Sequence, residues 1–153
     1  MKIEYLANNR QFLEEIASYW CKEWSSSWDE EAIAKKTEKL KKKAQIGKLP
    51  FLLVAKEGKN LVGTGGLFIK DLDGREDLSP WLGGVYIVNK YRNQGVASRM
   101  VHRLVKEARN LGFTRIYLYT ENASRLYEKL GWTFMEDTFS SRKIPSKIFY
   151  QDI

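Results

Sequence analysis

Cysteine, histidine and proline are scarce in this chain, which has one cysteine, one histidine and three prolines among 153 residues. The lone Cys21 excludes an internal disulfide and is expected to pack as a small buried hydrophobe. His102 has no second histidine or cysteine near it in sequence, so we expect a surface position and no metal site. The chain also has no G-x-S-x-G motif. Nothing in the sequence therefore indicates a covalent nucleophile.

Long apolar runs are absent as well. No segment approaches the ~20 apolar residues that a transmembrane helix needs, and the stretch 1–5 lacks the apolar core of a signal peptide. No stretch rich in glycine or proline indicates a flexible linker, and 43% of the residues are hydrophobic. We therefore expect a single domain over residues 1–153, located in the cytoplasm and with no membrane partner.

Acidic residues are outnumbered by basic ones, 19 to 26, which gives a net charge of +7. Such an excess is typical of proteins that bind nucleic acid, a membrane surface or an anionic small ligand. Lysines are densest between residues 35 and 48. At helical spacing they spread around the axis, which favours a solvated helix over a binding patch. Because no nucleic-acid reader motif is present, we expect no nucleic-acid partner.

Apolar periodicity predicts eleven elements in the order β-α-α-β-β-β-α-β-α-β-β. Ser27 and Glu30 fit a capping box that begins the second helix. The order predicts an α/β fold of the α+β type, with a mostly antiparallel sheet and one parallel crossover. The predicted helices are 9–24, 28–46, 96–111 and 123–130, and the predicted strands are 2–6, 51–56, 61–70, 81–88, 115–120, 132–139 and 146–152.

The most informative segment lies between the apolar run 81–88 and the amphipathic run 96–111, where the chain reads Arg92-Asn93-Gln94-Gly95-Val96-Ala97. The first N–H groups of a helix lack intrahelical partners and carry the positive end of the helix dipole. Small residues there allow a phosphate to approach closely, so the segment predicts a pyrophosphate site. Neither the G-x-G-x-x-G pattern nor a P-loop occurs.

This segment resembles the R/Q-x-x-G-x-G/A signature of the GNAT superfamily of acyl-CoA-dependent N-acyltransferases. A second stretch, Leu126-Tyr127-Glu128-Lys129-Leu130-Gly131-Trp132, resembles the late tyrosine motif of the same family. The resemblance implies a mixed, mostly antiparallel central sheet with helices on both faces, acetyl-CoA as cosubstrate and no metal. The chain departs from the family at Asn93, where glycine is common, and at Asn89-Lys90, which replace a common His-Pro or Asp-Pro.

The resemblance also implies the residues that hold the cosubstrate. The pyrophosphate would lie on the turn formed by Arg92, Asn93, Gln94, Gly95, Val96, Ala97 and Ser98. The pantetheine arm would run along Tyr86, Ile87 and Val88, pairing with the strand backbone where that strand splays from the next one. Asn122 and Ser124 would contact the same arm, although both residue types also suit plain N-capping.

Catalytic roles follow for fewer residues. The resemblance implies that Tyr127 is the general acid that protonates the leaving thiolate, and the alternative is a tyrosine that only packs. The general base stays open among Glu76, Asp77 and Glu121, each of which also suits a solvated loop. In this fold the first two helices wall the acceptor site, so Trp28 and Trp81 are candidates for stacking on the acceptor.

Taken together, the residues and the resemblance predict an acetyltransferase that transfers an acetyl group from acetyl-CoA to an amine by direct attack in a ternary complex. The acceptor, a small-molecule or peptide amine, stays open, and a homodimer is compatible with the sequence. One alternative is a non-catalytic acyl-CoA-binding or sensing domain of the same fold. Another is a basic nucleic-acid-binding module, which predicts strongly salt-dependent binding.

Overall fold

Seven strands form one mixed sheet in the computed structural model, which describes residues 1–153. They lie in the order β1-β2-β3-β4-β5-β7-β6, and every neighbouring pair is antiparallel except β4 and β5. The strands are β1 (Lys2–Tyr5), β2 (Phe51–Glu57), β3 (Asn60–Phe68), β4 (Trp81–Ile87), β5 (Arg115–Thr120), β6 (Thr133–Phe139) and β7 (Pro145–Asp152).

Four α-helices complete the fold: α1 (Leu13–Trp24), α2 (Glu30–Lys41), α3 (Val96–Asn110) and α4 (Ser124–Lys129). The element order and the single parallel crossover, from β4 through α3 to β5, confirm the fold predicted from the sequence. None of the helices is long and apolar enough to cross a membrane.

The sheet separates two hydrophobic clusters. β2 is apolar at nearly every position because it is covered on both faces, and its side chains alternate between the clusters. Phe51, Leu53 and Ala55 pack with α3 and α4, whereas Leu52 and Val54 pack with α1 and α2. The helix pair α1 and α2 thus covers one face of the sheet, and α3 and α4 cover the other.

The boundaries of the first two helices differ from the prediction. The predicted helix 9–24 is α-helical only from Leu13, because residues 6–12 form two 3-10 turns around Asn9, whose side-chain amide donates to the Tyr5 carbonyl at 2.9 Å. The second helix is capped by Asp29 rather than Ser27, since the Asp29 carboxylate accepts from the Ala32 amide at 2.8 Å. That helix ends at Lys41, five residues before the predicted end.

β4 and β5 share a single pair of residues in register, Trp81 and Tyr117. The Tyr117 amide donates to the Pro80 carbonyl at 3.0 Å, just before that pair. Beyond it the two strands diverge, and residues 83–87 of β4 are only half-buried although they belong to the middle of a sheet. The divergence leaves a gap in the centre of the sheet.

A bulge in β4 accompanies this gap. Gly84 has a φ of +62°, and the register between β3 and β4 shifts opposite it. The Trp20 indole N–H donates to Thr64 Oγ1 at 3.1 Å, and the Thr64 hydroxyl donates to the Gly84 carbonyl at 2.8 Å. A chain of hydrogen bonds from α1 through β3 therefore holds the bulged backbone of β4.

Candidate active site

The turn before α3 presents unpaired amides to solvent. Residues 92–95 are exposed, and none of the amides of residues 93–98 donates a hydrogen bond within the chain. Gly95 precedes the helix with a φ of +78°, and Asn93 also has a positive φ of 62°. Left-handed backbone at two positions turns consecutive N–H groups toward one concave surface. Free N–H groups at a helix N-terminus suit an anion with several oxygen atoms.

The polar side chains of that turn are tied to its own backbone. Arg92 Nε donates to the Ile87 carbonyl at 2.8 Å, and its guanidinium lies 5.4 Å from the ring centroid of Tyr86. The Gln94 amide donates to the Lys90 carbonyl at 3.3 Å. Arg92 thus adds positive charge beside the turn while fixing the path of the chain out of β4.

The three predicted residues of β4 are in different environments. Val88 uses both backbone groups, because its amide donates to Val62 and its carbonyl accepts from Tyr91, each at 2.8 Å. Val88 is therefore not free to pair with an extended ligand. Alternation along the strand directs the Ile87 amide to the gap instead, while the Ile87 carbonyl accepts from Arg92. The Tyr86 ring packs on Tyr19, with the two centroids 5.1 Å apart.

A cavity of about 320 Å³ opens beside the gap. It is bounded by α1 and α2 on one side, and by the strand β4 and the segment 119–123 on the other. Its apolar wall includes Trp20, Trp24 and Phe68, and its floor includes Gly83 and Gly84. The cavity is in the size range of small-molecule sites.

Tyr127 reaches this cavity from the opposite face of the sheet. The residue is 6% exposed, and its ring packs against Trp132 and Phe149 with centroids 6.0 and 6.5 Å away. Its hydroxyl makes no hydrogen bond within the chain, yet the oxygen is not sealed from solvent. Burial raises the pKa of Tyr127 to about 12. The structure therefore combines a packed ring with a protonated hydroxyl that is free to donate.

Asn122 lies between β5 and α4, Ser124 is the first residue of α4, and the exposed Asn122 lines the cavity. Neither side chain caps the helix, so the N-capping alternative is wrong. Ala123 is the N-cap residue, and the Ala123 amide instead donates to Thr120 Oγ1 at 2.9 Å. The Asn122 side chain is thus left without an intramolecular role.

The three carboxylates considered as general bases are placed differently. Glu76 and Asp77 lie outside the cavity, where Asp77 pairs with Arg75 at 3.1 Å. Glu121 does line the cavity, but it pairs with Arg142 and accepts from the Ser140 hydroxyl at 2.7 Å. None of the three is a free carboxylate facing the gap.

The carboxylate that meets this condition is Asp71, which was not singled out from the sequence. It follows β3, and its Oδ2 lies 2.5 Å from the position that a Cβ on Gly83 would occupy. The side chain is exposed to solvent through the cavity, has no hydrogen-bond partner and lies against Gly83. Desolvation at this position raises the pKa of Asp71 to about 6, and the Lys43 ammonium offsets part of the rise. The sequence signal was an acidic residue directly after a buried strand.

The tryptophans that line the cavity are not the two that the sequence suggested. Trp81 is fully buried, and its indole N–H donates to the Leu78 carbonyl at 2.6 Å, so its predicted stacking on an acceptor is wrong. Trp28 is 55% exposed and lies outside the cavity lining. Trp20 and Trp24, which were not singled out from the sequence, form the aromatic wall, with ring centroids 5.4 Å apart.

The lysine-rich segment divides into two groups. Lys35 and Lys41 are exposed and pair with Glu31 and Glu38 along α2, as a solvated helix predicts. The side chains of Lys36 and Lys43 instead line the cavity and have no ion-pair partner. Cys21 is buried and His102 exposed, as expected, and no three side chains of the metal-ligating types come together.

Comparison with protein families gives one match. The sequence model described as the acetyltransferase (GNAT) family matches residues 11–132. No curated protein is significantly similar in sequence.

Solved structures share the fold across the whole chain. An aminoglycoside 6'-N-acetyltransferase complexed with coenzyme A has a TM-score of 0.76 at 17% identity, with 99% of this chain and 97% of that one covered. A ribosomal-protein-alanine N-acetyltransferase from Brucella melitensis has a TM-score of 0.76 at 16% identity, with both chains fully covered. A spermidine N-acetyltransferase from Vibrio cholerae has a TM-score of 0.72 at 19% identity, with 99% and 95% covered. The names of these three proteins give three different acceptors.

Proposed function

The chain belongs to the GNAT acetyltransferase family, and on that premise we propose that it transfers the acetyl group of acetyl-CoA to a primary amine by direct attack in a ternary complex. One observation carries the proposal. An unpaired phenol, Tyr127, and an unpaired carboxylate, Asp71, line the same cavity beside the gap in the sheet. A domain that only binds acyl-CoA needs neither group.

The residues present fit acetyl-CoA. Free amides over residues 93–98 would hold the pyrophosphate, with the Arg92 charge beside them. The half-buried edge of β4, at Ile87 and Val85, would pair with the amides of the pantetheine arm, and Asn122 would meet that arm from the β5 side. With acetyl-CoA held in this way, its thioester would lie where the gap meets the cavity.

Asp71 is the proposed general base. At neutral pH the acceptor is mostly an ammonium ion, which the Asp71 carboxylate attracts and from which it takes a proton. The free amine then forms a bond to the acetyl carbon while the carbon–sulfur bond breaks, and the nitrogen releases its second proton to solvent. A carboxyl group with a pKa of about 6 is ionised at pH 7 and is a stronger base than an ordinary aspartate.

Tyr127 is the proposed general acid. The leaving thiolate takes the phenolic proton, which gives free coenzyme A and a tyrosinate that solvent reprotonates. With its pKa raised to about 12, the phenol stays protonated at neutral and moderately alkaline pH. It is also a weaker acid than a thiol of pKa ~8.5, so transfer to the thiolate needs the two groups in direct contact.

Two measurements test the proposal. Acetyl-CoA at ~100 times its dissociation constant is expected to stabilise the fold by about 2.7 kcal/mol, which a thermal melt detects. A panel of amines is then incubated with acetyl-CoA while free thiol is recorded. Stabilisation by NADH or ATP but not by acetyl-CoA contradicts the proposal. Stabilisation by acetyl-CoA without turnover of any amine supports the non-catalytic alternative.

A further inference from the structure

The charges on the cavity wall carry an inference about the acceptor, and it rests on the proposed function. Three acidic and three basic side chains line the cavity: Glu23, Asp71, Glu121, Lys36, Lys43 and Arg142. Arg142 and Glu121 pair with each other, so their charges largely cancel. The remaining four have no ion-pair partners. The cavity is therefore balanced in charge rather than acidic.

A balanced cavity suits few of the amines that acetyltransferases modify. A polycation gains most from a wall with excess carboxylates, and here two unpaired lysines repel it. The net charge of +7 adds to that repulsion at longer range. A simple alkylamine would leave both lysines without a partner.

Lys43 is the most informative of these groups. Its ammonium lies 4.9 Å from the ring centroid of Phe68 and 5.7 Å from that of Trp20, so the cation rests on the aromatic wall. Burial lowers its pKa, although the Asp71 carboxylate acts in the opposite direction. A half-buried ammonium without an anion is costly, which is a reason to expect a ligand that supplies one.

Asp71 lies near the edge of the Phe68 ring, and Lys43 lies over its face. One edge of the Phe68 ring is 3.2 Å from the Cβ position of Gly83, where Asp71 Oδ2 also lies, while Lys43 is over the ring. The two charges interact but do not form an ion pair. A ligand that bridges them needs a cationic group for Asp71, an anionic group for Lys43, and an apolar surface for the aromatic rings.

We propose that the acceptor is an amino acid with an apolar or aromatic side chain. Its α-ammonium is held by Asp71 beside the gap, its α-carboxylate by Lys43 with Lys36 behind it, and its side chain lies against Trp20, Trp24 and Phe68. Lys43 is then a specificity residue for the carboxylate and takes no part in proton transfer.

Matched amine pairs test this proposal. Phenylalanine is compared with phenylalaninamide, and leucine with leucinamide, at saturating acetyl-CoA with thiol release as the readout. We expect kcat/KM to be at least 10-fold higher for each acid than for its amide. Loss of the carboxylate makes the amine less basic, so more of the amide is deprotonated at neutral pH. A preference for the acid therefore does not arise from the supply of free amine.

Variants of three lysines on the same segment complete the test. Lys43→Gln is expected to raise KM for the acids at least 10-fold and to leave the amides unchanged. Lys36→Gln is expected to act in the same direction and less strongly. Lys35→Gln, which removes an exposed lysine paired with Glu31, is the control and is expected to change neither. A thermal melt of each variant with acetyl-CoA shows that the variant is folded.

Three results overturn the inference while leaving the proposed function intact: equal kcat/KM for acid and amide, a preference for spermidine or kanamycin over every amino acid, or a Lys43→Gln enzyme with unchanged selectivity. Failure of the proposed function is different, because then no amine releases thiol at all.

Discussion

The α-carbon of Gly84 lies against the indole ring of Trp20, so closely that a Cβ at Gly84 would be 2.7 Å from two ring atoms. The contact joins α1 to the bulge in β4, and the Trp20–Thr64–Gly84 hydrogen bonds run beside it. Glycine is needed here twice, for its φ of +62° and for the absence of a side chain.

Gly84→Ala is therefore expected to destabilise the fold more than its backbone conformation alone requires. The left-handed conformation costs an alanine about 1–2 kcal/mol, and overpacking against Trp20 adds about 1–3 kcal/mol. Gly74→Ala is the matched control, since Gly74 has a φ of +86° and nothing within 4 Å of its Cβ position. Urea unfolding measures both variants. Equal losses would show that Trp20 yields to a methyl group without cost.

Gly95→Ala is expected to weaken acetyl-CoA binding about tenfold or more, or about 1.4 kcal/mol, because a Cβ there faces the ligand rather than the protein. Nothing lies within 4 Å of the Gly95 Cβ position, so the fold loses only the backbone cost. Gly112→Ala, at the other end of α3 with a φ of +91° and the same open surroundings, is the control. Calorimetry measures the acetyl-CoA affinity of both variants. An affinity loss no larger in Gly95→Ala than in Gly112→Ala would place the pyrophosphate elsewhere.

Tyr127→Phe removes a hydroxyl that forms no hydrogen bond in the chain, so stability and acetyl-CoA affinity are expected to change little. Loss of a positioned general acid lowers kcat about 10²–10⁴-fold. Tyr119→Phe is the control because that tyrosine also lines the cavity and burial raises its pKa to about 12. Steady-state and single-turnover kinetics separate the two variants. A larger loss in Tyr119→Phe would transfer the acid role to Tyr119.

The pH profile of kcat/KM is expected to fall below pH ~6, because protonation of Asp71 removes the base. The decline is tenfold per pH unit in the wild type and absent in Asp71→Asn, whose activity is low throughout. Glu121→Gln is expected to keep the decline, since Glu121 already pairs with Arg142. A decline that survives in Asp71→Asn and disappears in Glu121→Gln would assign the base to Glu121.

Asp71 also links pH to stability, with a definite sign. Its folded-state pKa of about 6 lies above the ordinary value of 3.8, so the folded chain holds this proton more tightly than the unfolded chain. The resulting stabilisation is complete below pH ~4 and disappears as the pH rises through 6. Asp71→Asn is therefore expected to melt at a higher temperature than the wild type at pH 8, by a margin that shrinks toward pH 5. A lower melting temperature at pH 8 would mean that the carboxylate has a structural partner.

Local signals in the sequence predicted the elements well. Gly112 follows the end of α3 with a φ of +91°. The helix begins at Val96, as predicted, directly after the turn that carries the free amides. Such features depend on neighbours within a few residues. The 3-10 turns at residues 6–12 were missed because Asn9 is held by Lys56, a residue 47 positions away, through a 2.8 Å hydrogen bond.

The cavity was less predictable because it also depends on contacts between residues that are far apart in sequence. Whether Lys36 or Lys35 faces the cavity depends on how α2 is rotated against the sheet, and packing of residues such as Leu40 against the distant β2 sets that rotation. Asp71 lies in an irregular connection whose path no periodicity describes. Trp81 was assigned to the surface of the site, although its position between β3 and β5 in the middle of the sheet buries it completely.

The hydrophobic clusters on the two faces of the sheet correspond to the two proposed tasks, holding the acetyl donor and holding the acceptor. The amides before α3 and the ring of Tyr127 belong to one side, and the aromatic wall with its lysines belongs to the other, so that only the narrow opening past Trp81 and Tyr117 joins them. On the proposed function, substitutions in α1 and α2 other than at Trp20, which holds the β4 bulge, are expected to alter which amine is accepted without disturbing the site for the acetyl donor. A scaffold divided in this way can change its acceptor over evolution at little risk to its chemistry.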